Sequence, residues 1–336
     1  MWALDNRTAY AAERNWIRDR DGAHRWVVAV KATFDIAANG AVKLADEQPP
    51  PALTPEYFGE PGRSSLKWDS DLLAVKPGTD VLLHGHAHAP RGRPTPRVEV
   101  RLRVGDIDKT LSVYGERRYS RAATGGGVTT AAPFESRPLL YEWAFGGADL
   151  ADVDPKKHRH DSRNPIGKGF ALERRRLEGQ PAHCIDYPGQ DAAKVGPAGF
   201  GPIDSFWSPR LELAGTYNAA WESSRKPLLP KDFDERHAQC APAEQQAATP
   251  LRGGERVELT NLTPEGLLGF ELPRIYFTFT THIRGRRVEH RAHVATVLLL
   301  PEEMKLAMVW QTALPVTQKD SDYVDSTTIQ EKPFLT

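Results

Sequence analysis

The sequence has little of several features that would assign it to a common functional class. Its two cysteines, Cys184 and Cys240, lie far apart and neither belongs to a C-x-x-C pair, which favours free thiols in a reducing compartment. Its 44 Lys plus Arg equal its 44 Asp plus Glu, so no overall field attracts nucleic acid or an anionic membrane. Residues 1–20 lack the apolar region of a signal peptide, and no window has the roughly 18 apolar residues of a membrane span. We therefore predict a cytoplasmic protein without a membrane or nucleic-acid partner.

The usual sequence motifs of enzymes are also missing. The chain contains no G-x-S-x-G elbow, no H-E-x-x-H motif and no G-x-G-x-x-G fingerprint. A triple glycine at residues 125–127 lacks the Gly-Lys-Ser/Thr ending of a phosphate-binding loop, and we interpret it as a surface loop. These absences remove the commonest enzyme classes, and no cofactor is predicted.

Alternating hydrophobicity is the strongest pattern that the sequence does contain. Residues 97–104 read RVEVRLRV, in which aliphatic and charged side chains alternate as in a half-buried strand. With the runs on either side, residues 76–118 are interpreted as a three-stranded antiparallel meander, and residues 10–36 as a hairpin around a turn at 19–22. Together with 27 Gly and 27 Pro, this pattern predicts a mainly β fold with antiparallel, sandwich-like sheets, long ordered loops and a short helical insert.

The order of these patterns along the chain predicts four segments. Residues 211–248 have helix-compatible composition, but prolines divide them into short pieces. The predicted segments are an N-terminal β-meander lobe at 1–145, a loop-rich and helical insert at 146–250, a C-terminal β-meander at 251–316 that packs on or beside the first, and an extended tail at 317–336. The sequence is compatible with one continuous sheet system or with two domains.

Three histidines form the most conspicuous cluster of potential metal ligands. His84, His86 and His88 alternate on a predicted strand, where they would share one face and could hold a metal with a further ligand. Candidates for that ligand are His158, His160 and His183. The more ordinary interpretation, which we favour, is that the three are polar residues bonded to cross-strand neighbours. Similarly, Asp69 and Asp71 could form a hydrolytic carboxylate pair, although caps or salt bridges are the commoner use of such acids.

Aromatic residues in and around the irregular region are candidates for contacts with a protein partner. Large aromatic side chains dominate both protein cores and protein interfaces, and the sequence does not separate the two uses. The candidates are Trp143, Phe145, Phe170, Phe200, Phe206, Trp207, Tyr217 and Trp221.

Eight segments, in their order along the chain, resemble the bacterial family catalogued as domain of unknown function 2169. The resemblance covers residues 6–310, and the succession of several segments makes it specific. Most of the matched positions are Gly, Pro and aromatic residues, which fix turns and packing more readily than they perform chemistry. The segments are VVAVKATFDI (27–36), SLKWDSDL (65–72), KPGTDVLLHGHAHAP (76–90), YEWAFGG (141–147), NPIGKGF (164–170), PAGFGPI (197–203), LAGTYNAAW (213–221) and LPKDFD (229–234).

The resemblance implies a binding role rather than catalysis. Members of that family look like accessory proteins of the type VI secretion system, encoded beside VgrG spike proteins, PAAR tip proteins and toxic effectors. The expected function is thus a non-enzymatic adaptor or chaperone that binds an effector or a PAAR or spike protein and assists its loading for export. The alternative is a metal-assisted hydrolase that uses His84 and His86, with Asp69 or Asp71 nearby.

Overall fold

The computed structural model describes residues 2–120 and 127–332, and the mainly β prediction is confirmed. In this part of the chain the strands are β1 Ala3–Asn6, β2 Ala11–Arg18, β3 His24–Ile36, β4 Val42–Leu44, β5 Glu56–Tyr57, β6 Leu66–Trp68, β7 Thr79–Leu83, β8 His86–His88, β9 Arg97–Val104, β10 Ile107–Tyr114, β11 Tyr119–Ser120, β12 Gly127–Val128, β13 Ser136–Pro138, β14 Phe145–Gly146, β15 Ala148–Asp149, β16 Arg159–His160, β17 Lys168–Gly169, β18 Ile185–Asp186, β19 Gln246–Ala247, β20 Arg256–Thr260, β21 Leu267–Glu271, β22 Tyr276–Ile283, β23 Arg286–His290, β24 His293–Leu300, β25 Lys305–Val316 and β26 Val324–Lys332.

Helical structure is short and sits mostly in the insert, as predicted. The α-helices are α1 Ala192–Val195, α2 Arg210–Leu213 and α3 Ala219–Ser224, and single 3-10 turns include Tyr141–Trp143, Arg174–Leu177, Glu235–Ala238 and Ala243–Gln245. None of the helices within residues 2–120 and 127–332 has the length and apolar composition needed to cross a bilayer.

A seven-stranded sheet lies at the centre of the fold. Its strand order is β19-β7-β24-β25-β3-β2, with β4 also paired to β3. The long strands β3 and β25 pair antiparallel along their whole length, from Lys305 opposite Asp35 to Val316 opposite His24. Residues 26–30 of β3 read WVVAV and are buried on both faces, because one face packs on the other sheets and the other is covered by loops.

Two further sheets share the largest hydrophobic cluster with the seven-stranded sheet. A five-stranded sheet has the order β18-β10-β9-β20-β21, and a four-stranded sheet has the order β1-β26-β22-β23. The predicted alternation in β9 is confirmed, since its aliphatic side chains are buried and most of its charged ones are exposed. Trp26 of the seven-stranded sheet, Val100 of the five-stranded sheet and Phe279 of the four-stranded sheet belong to one hydrophobic cluster.

The meander predicted over residues 76–118 was only partly correct. β9 and β10 form a hairpin, but β7 pairs in parallel with β24 in another sheet, and β8 pairs with β13. The proline-rich residues 90–96 carry the chain from one sheet to the next, because proline lacks the N–H that a ladder needs.

Strands from both halves of the chain pair within the same sheets. β3 pairs with β25 and β9 pairs with β20, so the predicted segments 1–145 and 251–316 share their hydrogen-bond ladders. The tail predicted at 317–336 contains β26, which lies between β1 and β22. Within the described residues, the three α-helices all lie between residues 146 and 250.

A candidate binding groove beside the insert

A groove of about 520 Å³ lies between the loop-covered face of the seven-stranded sheet and the insert. Ile17 and Ala313 contribute from the sheet, the loop at residues 69–77 forms one wall, and residues 205–238 form the other. We call this concavity the insert groove. Its apolar lining includes Ile17, Leu73, Val75, Tyr217, Leu229 and Phe233.

Arg210 joins the two walls of the insert groove. It begins α2 and is buried, with its Nη2 2.8 Å from Asp69 Oδ2 in the opposite loop. The same guanidinium donates through Nη1 to the Ile203 carbonyl at 2.6 Å and through Nε to the His237 carbonyl at 3.1 Å. A buried charge is stable only when paired and hydrogen-bonded, and these bonds meet that need. The walls are therefore fixed relative to each other.

A second set of contacts attaches α3 to the turn between β2 and β3. Asn218 caps the helix by accepting from the Trp221 N–H at 3.0 Å, and Trp221 Nε1 donates to the Leu228 carbonyl at 2.8 Å. Arg225 donates to the Arg20 carbonyl at 2.7 Å. These bonds hold Tyr217, whose ring lies edge-on to that of Trp221 at 4.7 Å, at the rim of the groove.

The eight aromatic candidates divide into three groups by exposure. Phe145, Phe200 and Trp207 are buried and pack the core, so they do not present a surface to a partner. Trp143, Phe170 and Trp221 are half-buried. Phe206 is 75% exposed and Tyr217 is 53% exposed. Of the eight, only Tyr217 lines the insert groove, while Phe206 follows Ser205, which does.

Sequence reasoning missed other residues that shape the groove. Leu73 is 56% exposed and lies in its lining, yet a lone leucine in a loop has the same sequence signature as a core residue. Arg210 gave no signal either, because its role depends on Asp69, 141 residues away.

The predicted histidine face does not form. His84 lies beyond the end of β7, where its Nε2 donates to the Lys67 carbonyl at 2.6 Å, and burial lowers its pKa to about 4. His86 and His88 share a different partner, since Oε1 of Glu302 is 3.4 Å from His86 Nδ1 and 2.6 Å from His88 Nε2. The face was mispredicted because the strand breaks at His84 and Gly85, before β8 begins.

The additional candidate ligands and the two aspartates are also separated. His158 bonds to the Asp152 carbonyl, His160 is exposed, and His183 lies between Tyr119 and Asp186. Asp71 is buried, where its carboxylate accepts from Ala52 N and Trp68 Nε1, while Asp69 pairs with Arg210. Residues 2–120 and 127–332 hold no group of three or more side chains placed to ligate a metal.

A family profile described as "Uncharacterized protein conserved in bacteria (DUF2169)" matches residues 21–311. The chain belongs to the DUF2169 family. Among curated proteins and among solved structures nothing matches. The matched range contains most of the lining of the insert groove, from Arg25 in β3 to Ala238 in the insert, whereas residues 17–20 and Ala313 lie outside it.

In this DUF2169 protein, three of the segments that carried the resemblance meet around two buried side chains. Asn164 Nδ2 donates to the carbonyls of Tyr141 and Phe145 at 2.8 and 3.0 Å, and Tyr141 Oη donates to the Gly201 carbonyl at 3.1 Å. Gly146 adopts a φ of +144°, and a Cβ there would overlap the Asn164 carbonyl oxygen. These segments are therefore joined to one another by buried hydrogen bonds and close backbone packing.

Proposed function

We propose that the chain is a non-enzymatic adaptor or chaperone that binds a protein partner in the insert groove. The resemblance noted from the sequence supplies the class of partner, a type VI secretion effector or a PAAR or VgrG spike protein whose loading for export it assists. The groove supports the binding role, and the resemblance supports the identity of the partner.

The proposal rests on a concave, mainly apolar surface held between fixed walls. Leu73 and Tyr217 come from opposite walls, and each keeps more than half of its surface exposed. Exposed large apolar side chains that line one concavity mark a binding site, whereas single scattered ones do not. Because Arg210 fixes the walls, little conformational entropy is lost when a partner binds.

The groove offers two ways to hold a segment of a partner. Its volume of about 520 Å³ suits a short peptide or one face of a helix rather than a whole domain. In addition, β2 is the last strand of the seven-stranded sheet, and its final residues Ile17 and Arg18 line the groove. An extended segment could therefore add to this edge.

The proposal predicts that groove variants lose the partner. Tagged protein is co-expressed with the products of adjacent genes, and retained proteins are identified by mass spectrometry. We expect the wild type to retain an effector, PAAR or spike protein, and Leu73→Asp combined with Tyr217→Ala to lose it, because a charge replaces apolar contact area and an aromatic anchor is removed.

Leu267→Asp is the matched control. Leu267 is 68% exposed on β21 and lies outside the groove. The substitution Leu267→Asp therefore introduces the same charge at another exposed leucine. Retention of the partner by the double groove variant would contradict the proposal.

No observation favours the alternative, a metal-assisted hydrolase, because His84 and His86 have separate bonding partners.

A further inference from the structure

We propose that Arg137, Trp143 and Lys168 bind a carboxylate group from an acidic peptide segment of a protein partner. The inference rests on the proposed function only in taking the partner to be a protein. We call these three side chains the cationic recess. None of them lines the insert groove, so the recess would be a second, separate contact.

Arg137 is a buried cation without an anion. It is 7% exposed, its Nε is buried without a hydrogen-bond partner, and no hydrogen bond or ion pair within the described residues involves its guanidinium. Arg210, which is similarly buried, has Asp69 and backbone carbonyls as partners. Burying an unpaired charge is unfavourable, so the environment of Arg137 is incomplete without a negative group.

Lys168 places a second positive charge beside the same aromatic ring. Its Nζ lies 3.3 Å from the centroid of Trp143, and Cζ of Arg137 lies 4.9 Å from that centroid. Lys168 has no carboxylate within ion-pair distance in the part of the chain that the structure describes. Cation–π contact offsets only part of the desolvation of two like charges. Burial and the positive charge of Arg137 accordingly lower the pKa of Lys168.

The acids that act on Lys168 through space form no ion pair with the recess. Glu142 is engaged elsewhere, since its carboxylate accepts from both the backbone N–H and the hydroxyl of Ser65. Glu116 interacts with Lys168 only at long range, because the two form no ion pair, and its side chain is exposed to solvent. Within residues 2–120 and 127–332, therefore, neither Arg137 nor Lys168 has a carboxylate bound directly to it.

Three separate segments hold the recess in place. Arg137 lies in β13, which pairs with β8. Trp143 is the last residue of a 3-10 turn, and its own carbonyl accepts a hydrogen bond from the Cys184 N–H at 2.7 Å. Lys168 lies in β17, which pairs in parallel with β14, and its N–H donates to the Ala144 carbonyl at 3.0 Å. Because these backbone bonds fix all three residues, the recess is preorganised for a ligand.

The two cations beside one aromatic ring favour a carboxylate on a peptide side chain. A guanidinium donates two parallel N–H bonds to the two oxygens of one carboxylate, and a neighbouring ammonium adds a further charge-assisted bond. The ring of Trp143 offers apolar contact to the methylene groups that carry the carboxylate in aspartate or glutamate. An acidic peptide segment supplies both features.

The test is a titration of the full chain with a defined peptide probe. Fluorescence anisotropy follows a labelled, amidated peptide of alternating glycine and paired glutamates, and the same peptide with glutamine in place of glutamate is the comparison. We expect the acidic peptide alone to bind, and both Arg137→Met and Lys168→Met to weaken it at least tenfold. Arg287→Met is the control, because Arg287 is an exposed arginine on β23.

Thermal unfolding separates binding from a structural role. Arg137→Met removes an uncompensated buried charge, so we expect an unchanged or higher Tm; a lower Tm with unchanged peptide binding would overturn the proposal. Binding of inorganic phosphate with no binding of the acidic peptide would also overturn it. The peptide assay uses no secretion protein, so a failed pull-down would not contradict carboxylate binding by the cationic recess. Likewise, a failed peptide titration would not contradict partner binding in the insert groove.

Discussion

At the scale of single residues, Lys76 and Asp80 form an ion pair that is almost completely buried. Lys76 Nζ lies 2.6 Å from Asp80 Oδ2 and 2.9 Å from Thr296 Oγ1, and the Cys240 N–H donates to the same carboxylate at 2.8 Å. Burial opposes the charged form of Lys76, but Asp80 outweighs it and raises the pKa of the lysine. This pair links β7 and β24 to the end of the insert.

Removing one partner of this pair leaves a buried charge uncompensated. We predict that Asp80→Asn lowers the free energy of unfolding by about 3–5 kcal/mol, measured by urea denaturation. Asp5→Asn is the control, because Asp5 pairs with Arg7 on the surface, where solvent screens the pair and its contribution to stability is small. Equal effects of the two substitutions would show that the buried pair has no special role.

A second prediction concerns stability in mild acid. Burial lowers the pKa of His84 from 6.5 to about 4, so between these values the unfolded chain takes up a proton that the folded chain excludes. The stabilisation is therefore complete above pH 6.5 and is lost as the pH falls toward 4. Glutamine at this position can still donate to the Lys67 carbonyl but does not titrate.

We predict that His84→Gln makes the free energy of unfolding less dependent on pH over this window. The change in the free energy of unfolding per pH unit should decrease by up to about 1.4 kcal/mol, which corresponds to the uptake of one proton on unfolding. Urea denaturation at several pH values measures it, and parallel curves for wild type and variant would contradict the assignment. His290, whose pKa burial also lowers to about 4, keeps some acid sensitivity in the variant.

At the scale of elements, the sequence predicted strands better than sheets. Alternating hydrophobicity is local, so it identified the hairpin of β2 and β3 and the alternation in β9. Pairing is not local: β9 pairs with β20, more than 150 residues later, and β7 leaves the predicted meander to pair with β24. The groove could not be predicted for the same reason, because its walls are joined by contacts between residues far apart in the sequence, such as Arg210 with Asp69.

Close packing of the insert predicts an unequal effect of two similar glycine substitutions. Gly146 and Gly189 both have positive φ, but a Cβ at Gly146 would overlap the Asn164 carbonyl, whereas one at Gly189 meets nothing within 4 Å. We expect Gly189→Ala to lower the free energy of unfolding by about 1–2 kcal/mol from backbone strain alone. Gly146→Ala should cost at least about 2 kcal/mol more, because overpacking is added; equal losses in urea denaturation would contradict this.

At the scale of the whole molecule, the insert is attached to a sheet system that both ends of the chain build together. β1 pairs in parallel with β26, and β3 pairs with β25 along its length. The predicted segments were useful for locating loops and helices, yet their boundaries do not correspond to separate sheets. Such non-local pairing provides a rigid platform, and the insert groove forms where the insert crosses one face of it.

At this scale the insert groove is proposed to bind a protein partner. Its most direct test is the dissociation constant of the partner recovered by co-expression, measured with purified wild type, the double variant Leu73→Asp with Tyr217→Ala, and Leu267→Asp. We predict that the double variant binds at least tenfold more weakly than wild type, since aromatic anchors in grooves typically contribute about 2 kcal/mol or more, and that Leu267→Asp binds as wild type does. Equal affinity of all three proteins would contradict the account.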